Sequence, residues 1–276
     1  VLCANCGTEK ATTGTGPCEG CAAAPANGAP PPGPPAPLPA APAAPRSPVG
    51  LARAVTVLLG AVVVADVFSL FVSFRARGHW DDRVTEGFAA VPVEDLDLTD
   101  TLMTVSSTAY SAVFLATAVV FIAWFSRVRK NAGVFAPDLQ RKGPGWAIGS
   151  WFVPIGNFWL PRGVAVDVWA ASRRDPHGPD AREQEPHTVL TAWWTAWVVA
   201  ALLGRHAVKR YAKAEEPGAL LGALDQMIVA DLLDIAAAAL AILFVRALTR
   251  MQSDKAATLP FASTQPPAKS LGAGRM

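Results

Sequence analysis

The sequence predicts an all-α membrane protein, a polytopic bundle of apolar helices with a small metal-binding head at its N-terminus. Three observations predict it. Hydrophobic residues make up 51% of the 276 residues and charged residues only 17%, too apolar a balance for an ordinary soluble domain. The apolar residues are gathered into long blocks separated by short charged stretches, the pattern of membrane spans. All four cysteines fall within the first 21 residues, so no disulfide framework reaches the rest of the chain. A formal net charge of +2 provides no basic field for nucleic acid.

The head is expected over residues 1–21. Cys3-Ala-Asn-Cys6 and Cys18-Glu-Gly-Cys21 are two C-x2-C pairs separated by eleven residues. Each pair suits a tight turn, and Gly7 permits the left-handed backbone such turns need. Four thiolates then surround one structural zinc in a closed tetrahedral site with no open catalytic position. So short a segment cannot bury a core, so the metal would supply its folding energy. Two disulfides in an exported head are the alternative, but paired C-x2-C motifs read as a reduced, cytosolic site. The head resembles the short zinc ribbons carried by many bacterial membrane proteins. Residues 22–48 are nearly all Ala, Pro and Gly and are expected to form an extended, disordered spacer. A Pro-rich partner site is the less favoured reading.

The helix bundle is expected over residues 49–252, with a disordered tail over 253–276. Leu51 to Phe74 is apolar but for Arg53 and Asp66, long enough to cross the ~30 Å hydrocarbon core. Leu102 to Phe125 is the second span, rich in small residues that let helices approach. Thr188 to Leu203 is a short, Trp-rich third and Ile228 to Leu248 the fourth. Residues 75–101 carry three arginines against seven acids, whereas 126–145 carry five basic residues and one acid. Basic loops stay cytoplasmic, which places the second stretch and the head inside and the first outside.

The segment Trp146 to Ser172 is expected to be broken or re-entrant. Pro154 removes a backbone donor and Gly156-Asn157 signals a turn. Such breaks survive at membrane depth only when protein covers them. The Asn157 side chain is expected to satisfy the freed backbone and Gly156 to make the turn. Trp151, Phe152, Phe158 and Trp159 should cluster beside it. Charge favours four spans plus this segment, with five spans as the alternative.

Trp124, Arg127, Val128 and Asn131 form W-x-x-R-V-x-x-N. Gly145 to Asn157 reads G-W-A-x-x-x-W-F-x-P-I-x-N, containing Trp146, Trp151, Phe152, Pro154 and Asn157, and Pro161, Trp169 and the Trp193-Trp194 pair follow. On these residues, over roughly 50–252, the chain resembles domain of unknown function 4328, a family of actinobacterial membrane proteins. The resemblance implies a membrane location and no established reaction. It also implies an acidic residue before the second Trp, to which Asp167 is the approximate match.

Asp66, Asp231 and Asp234 lie within apolar spans, and Asp231 and Asp234 share a helix face at i, i+3. Intramembrane carboxylates face a bundle interior or a wet cavity, so these three define a candidate polar site or ion path. Interhelical hydrogen bonding is the plainer reading. His79, His177, His187 and His206 show no metal-binding spacing and are expected in solvated loops. Arg127, Arg129 and Lys130 could hold anionic headgroups, although an orientation signal alone explains them. No nucleophile elbow or phosphate loop occurs, so an enzyme is not expected. The favoured function is a scaffold or sensor in the plasma membrane, N-terminus cytoplasmic, whose head recruits a cytoplasmic protein. The alternative is a small transporter or channel-like protein using the aspartates, which a continuous polar cavity would favour. The expected partners are the lipid bilayer and that cytoplasmic protein, not nucleic acid.

Overall fold

The computed structural model describes residues 1–4, 6–11, 15–16, 18–22 and 44–259. Most of the expected spacer, 23–43, and the tail from 260 lie outside the described residues. The chain divides into two compact units, Val1–Ala43 and Ala44–Met276. Among the described residues the architecture is all-α, apart from one isolated antiparallel bridge between Leu2 and Lys10.

In the first unit that bridge closes a small loop. Cys3 N donates to Glu9 O at 2.7 Å and Gly7 N to Cys3 O at 3.0 Å. Gly7 takes φ +65°, the left-handed turn that its lack of a side chain allows. A single helical turn, α1 (Glu19–Ala22), carries Cys21 and follows directly on Cys18.

The second unit is built on α2 (Val49–Thr85), α3 (Val93–Phe135), α7 (Thr188–Tyr211) and α8 (Pro217–Ala257). Between α3 and α7 lie the short helices α4 (Trp146–Gly149), α5 (Leu160–Ser172) and α6 (Ala181–Gln184). The 43 residues of α3 extend roughly 64 Å at ~1.5 Å per residue, about twice the hydrocarbon core. Every long helix outruns its expected span, because hydropathy marks only the apolar stretch while the polar flanks continue the helix. Arg205 to Tyr211 therefore continues α7, and α8 runs to Ala257, past the expected boundary at 252. His79 and His206 likewise lie on α2 and α7 and not in loops. The helices start and stop at readable signals. Gly87 turns at φ +103°, Glu94 and Asp95 occupy the first turn of α3, where its dipole favours them, and Pro217 opens α8.

α2, α3 and α8 are long and apolar enough to cross a membrane, yet no more than 39% of the most apolar stretch of each is buried by the chain itself. Val64, Phe71, Leu115 and Leu243 are among the large apolar residues left exposed. A surface of this kind is consistent with a membrane protein. The 24-residue α7 is not one of those three.

α2 and α8 pack together, α3 lies on α2, and α7 lies on α8. The side-chain bonds show successive long helices to be antiparallel. Arg75 ties α2 to Asp95 (3.0 Å) and Thr99 at the start of α3, and Arg77 ties it to Asp225 near the start of α8. Far from those turns, Trp124 Nε1 on α3 donates to Thr249 Oγ1 on α8 at 3.1 Å. The α2–α3 and α7–α8 turns therefore share one end of the bundle.

The segment between α3 and α7 works at the opposite end. It leaves beside Arg129, whose guanidinium donates to Lys142 O at 2.5 Å. It reaches inward to Trp151, which meets Phe121 and Phe125 of α3 and Trp194 and Trp197 of α7. It then returns, bringing Ser172 to Gln252, level with Val128 and Asn131. No continuous helix crosses here. Three expectations about the break are corrected. The left-handed residue is Ile155, at φ +60°. Gly156 is needed for space, since a Cβ there would meet Val153 Cγ1 at 2.8 Å and Leu160 Cδ1 at 2.9 Å. The Asn157 Oδ1 is buried without a hydrogen bond, and a different carbonyl of the break, that of Phe158, is satisfied by the Trp194 indole at 3.0 Å. Of the four aromatics expected to cluster, Trp151 packs inward while Phe152 and Trp159 are 72% and 58% exposed.

Candidate functional sites: a four-cysteine cluster and a polar cleft

The Sγ atoms of Cys3, Cys6, Cys18 and Cys21 all lie within 4.8 Å of one another. None is in a disulfide. The Cys6 and Cys18 sulfurs are 3.8 Å apart, close to the edge of a tetrahedron with ~2.3 Å zinc–sulfur bonds. Cys18 N donates to Cys3 Sγ at 3.2 Å, the amide-to-sulfur bond that stabilises a thiolate ligand. Cys6 is exposed, and its thiol is lowered to about 6, first by the Thr8 hydroxyl and then by the Thr8 and Glu9 amides. Hydrogen bonds to Cys18 and Cys6 push Cys21 up to about 12. The four could hold a metal ion.

The second site lies among α2, α3, α7 and α8, toward the end with the two turns. It is a cleft of about 800 Å³. Asp231 and Asp234 of α8 line it, together with Ser69 of α2, Ser106 and Tyr110 of α3, and Arg205 and Lys209 of α7. Ser69 Oγ donates to Asp231 Oδ2 at 2.9 Å, and the Tyr110 hydroxyl donates to Asp234 Oδ2. Among the described residues no hydrogen bond occupies the Oδ1 of either carboxylate. Asp66 is 1% exposed, its Oδ2 has no hydrogen bond, and it lies within electrostatic reach of both other aspartates. It is not among the residues lining the cleft. The three aspartates singled out by sequence are thus neighbours, two facing the cleft and one enclosed. Ser69, Tyr110, Arg205 and Lys209 were not foreseen. Polar residues spaced along an apolar helix give no sign of which face they share with another helix.

The motif residues gather at the other end and build structure. Asn131 Oδ1 accepts from Arg46 N at 2.9 Å, and its Nδ2 donates to Arg46 O and Gln252 Oε1. Arg127 donates to Ser47 O at 3.3 Å. The last residues of the expected spacer are therefore fastened to the bundle. Trp124 is fully buried and meets Phe244 edge-on, while Trp169 stacks on the same ring. Pro161 is buried in the first turn of α5. Trp146 is half-exposed, with Lys142 over its ring. Asp167 takes Arg141 at 2.8 Å and so fastens the loop after α3 to α5. His177 pairs with Asp138 at 2.7 Å.

The family model described as domain of unknown function (DUF4328) matches residues 89–250. That range begins just before α3, later than the motifs alone suggested, and leaves out the cysteine cluster and α2. No curated protein and no solved structure matches the chain.

Proposed function

The chain belongs to the family of domain of unknown function DUF4328, and from that premise we propose that it is a four-span plasma-membrane protein whose cleft binds and carries a small solute. The single observation behind this reading is the cleft with Asp231 and Asp234 on its wall. A bundle built only to scaffold would be packed dry. Carboxylates in an apolar span are costly unless they face a partner or a wet cavity, and here they do. The role is non-enzymatic: the hydroxyls and carboxylates are arranged to hold a ligand and hand it on.

Proteoliposomes containing the full chain test this, with flux recorded across a panel of small ions and solutes. The expected result is a flux that falls by about tenfold in Asp231→Asn/Asp234→Asn, the loss of roughly one charge-assisted hydrogen bond. An unaltered flux in that variant would remove the cleft from the mechanism.

The cysteine cluster supports a second role, that of a cytoplasmic zinc-ribbon head recruiting a protein partner. The metal is read as zinc because four cysteines with tetrahedral spacing suit it. Metal analysis of the purified full chain should find about one zinc per chain, lost in Cys3→Ser/Cys18→Ser. Crosslinking pulldown with and without residues 1–48 asks whether the head recruits anything.

A further inference from the structure

The cleft carries charges of both signs on facing helices. Gly204 and Ala230 are at one level of α7 and α8, since a Cβ on Gly204 would lie 3.8 Å from the Ala230 Cβ. α7 and α8 run antiparallel, so from that level Arg205 and Lys209 step toward the α7–α8 turn while Asp231 and Asp234 step away from it, and the cleft they all line has a cationic end and an anionic end. None of the ion pairs among the described residues uses Arg205 or Lys209. A cationic end and an anionic end in one cleft, with the cations outside every ion pair among the described residues, suit a ligand that carries both charges.

We propose that the ligand is a zwitterion bearing an ammonium and a phosphate, of the phosphoethanolamine type; this rests on the solute-binding reading. The ammonium would meet the free carboxylate oxygens of Asp231 and Asp234. The rings of Tyr110 and Phe114, stacked 5.8 Å apart on α3, and Trp197 on α7 add faces that attract a cation. The phosphate would meet Arg205 and Lys209, whose long stems favour the interface. A further observation points to a polar ligand. Ser106 lines the cleft at 4% exposure, and its hydroxyl has no hydrogen-bond partner. The size agrees as well. About 800 Å³ lies within the ~300–1,000 Å³ of small-molecule sites, far larger than the shell of oxygens a bare metal ion requires. The ligand chemistry is shared by a lipid headgroup and by the soluble zwitterion.

Native mass spectrometry of the detergent-purified full chain tests the proposal, with phosphatidylethanolamine, phosphatidylglycerol and soluble phosphoethanolamine as probes. The expected result is tighter binding of phosphatidylethanolamine than phosphatidylglycerol, with the preference reduced about tenfold in Asp231→Asn/Asp234→Asn. Arg205→Ala/Lys209→Ala changes only exposed side chains and should weaken both lipids, so the proposal stays testable if the aspartate variant fails to fold. Displacement of the lipid by phosphoethanolamine would identify a free solute as a source; no displacement would assign the headgroup. Equal or tighter binding of phosphatidylglycerol would overturn the proposal, as would unchanged phosphatidylethanolamine binding in either variant. Zwitterion binding without flux would sink the carrier reading alone. Flux of another solute without zwitterion binding would sink only this inference.

Discussion

Gln252 shows how much one buried side chain can hold together. It is 1% exposed, yet its Oε1 accepts from Asn131 and its Nε2 donates to Val128 O and Ser172 Oγ at 2.9 and 3.0 Å. It joins α3, α5 and α8 at one point, and Asn131 extends the network to Arg46. A buried group stripped of its partner costs about 1–3 kcal/mol. Gln252→Leu, which removes one buried bond each from the Asn131 amide, the Val128 carbonyl and the Ser172 hydroxyl, is therefore expected to destabilise by about 2 kcal/mol. Denaturation in detergent measures it, and an unshifted midpoint would contradict the network. Ile155 offers the opposite sign. A β-branched residue at φ +60° is strained by roughly 1 kcal/mol or more, and its side chain is 72% exposed, so little packing is lost on truncation. Ile155→Gly should raise the same midpoint, by about 1 kcal/mol. Asn131 was legible in the sequence because it belongs to a spaced motif. Gln252 was not, since a lone glutamine near a helix end looks like any solvated one until three helices close around it.

At the scale of elements, the broken segment was the most legible feature and its chemistry the least. Pro154 argues from sequence alone for a break in the helix. One carbonyl within the break, that of Phe158, finds its donor on a helix some 36 residues away, which no neighbour of Pro154 could indicate. Trp194 supplies the bond to Phe158 O while its ring meets Trp151, Trp193 and Trp197. Trp194→Phe should keep most of the ring contact and remove the hydrogen bond. The expected loss is about 1 kcal/mol, with faster hydrogen exchange at residues 150–160 than elsewhere in the chain. Uniformly changed exchange would mean that the indole serves the whole bundle and not the break. The lengths of α2, α3, α7 and α8 were underestimated for a related reason. Hydropathy marks where lipid ends, but a charged helix carries on through water.

For the whole molecule, the decisive geometry is that the segment from 136 to 187 leaves and returns at one end of an antiparallel bundle. Arg129 meets Lys142 on the way in, and Lys255 donates to the Ala171 and Arg173 carbonyls on the way out. A fifth crossing would need those contacts at opposite ends. The same end gathers Arg127, Lys130, Arg141, Arg162, Arg174, Arg246 and Arg250, the excess that holds a loop in the cytoplasm. The other end holds Asp81, Asp82, Glu86, Glu94 and Asp95 beside its arginines and lysines. The proposed topology is thus four crossings, with the two tight turns outside and everything from 136 to 187 inside. Single cysteines at residues 88, 140, 178 and 214, placed in a chain whose native cysteines are serine, test it in intact cells. An impermeant maleimide should label 88 and 214, and should reach 140 and 178 only after permeabilisation. Labelling of 178 together with 88 from outside, with 140 protected, would restore the fifth crossing. It would also separate Ser172 from Gln252, which the stability of Gln252→Leu would register independently.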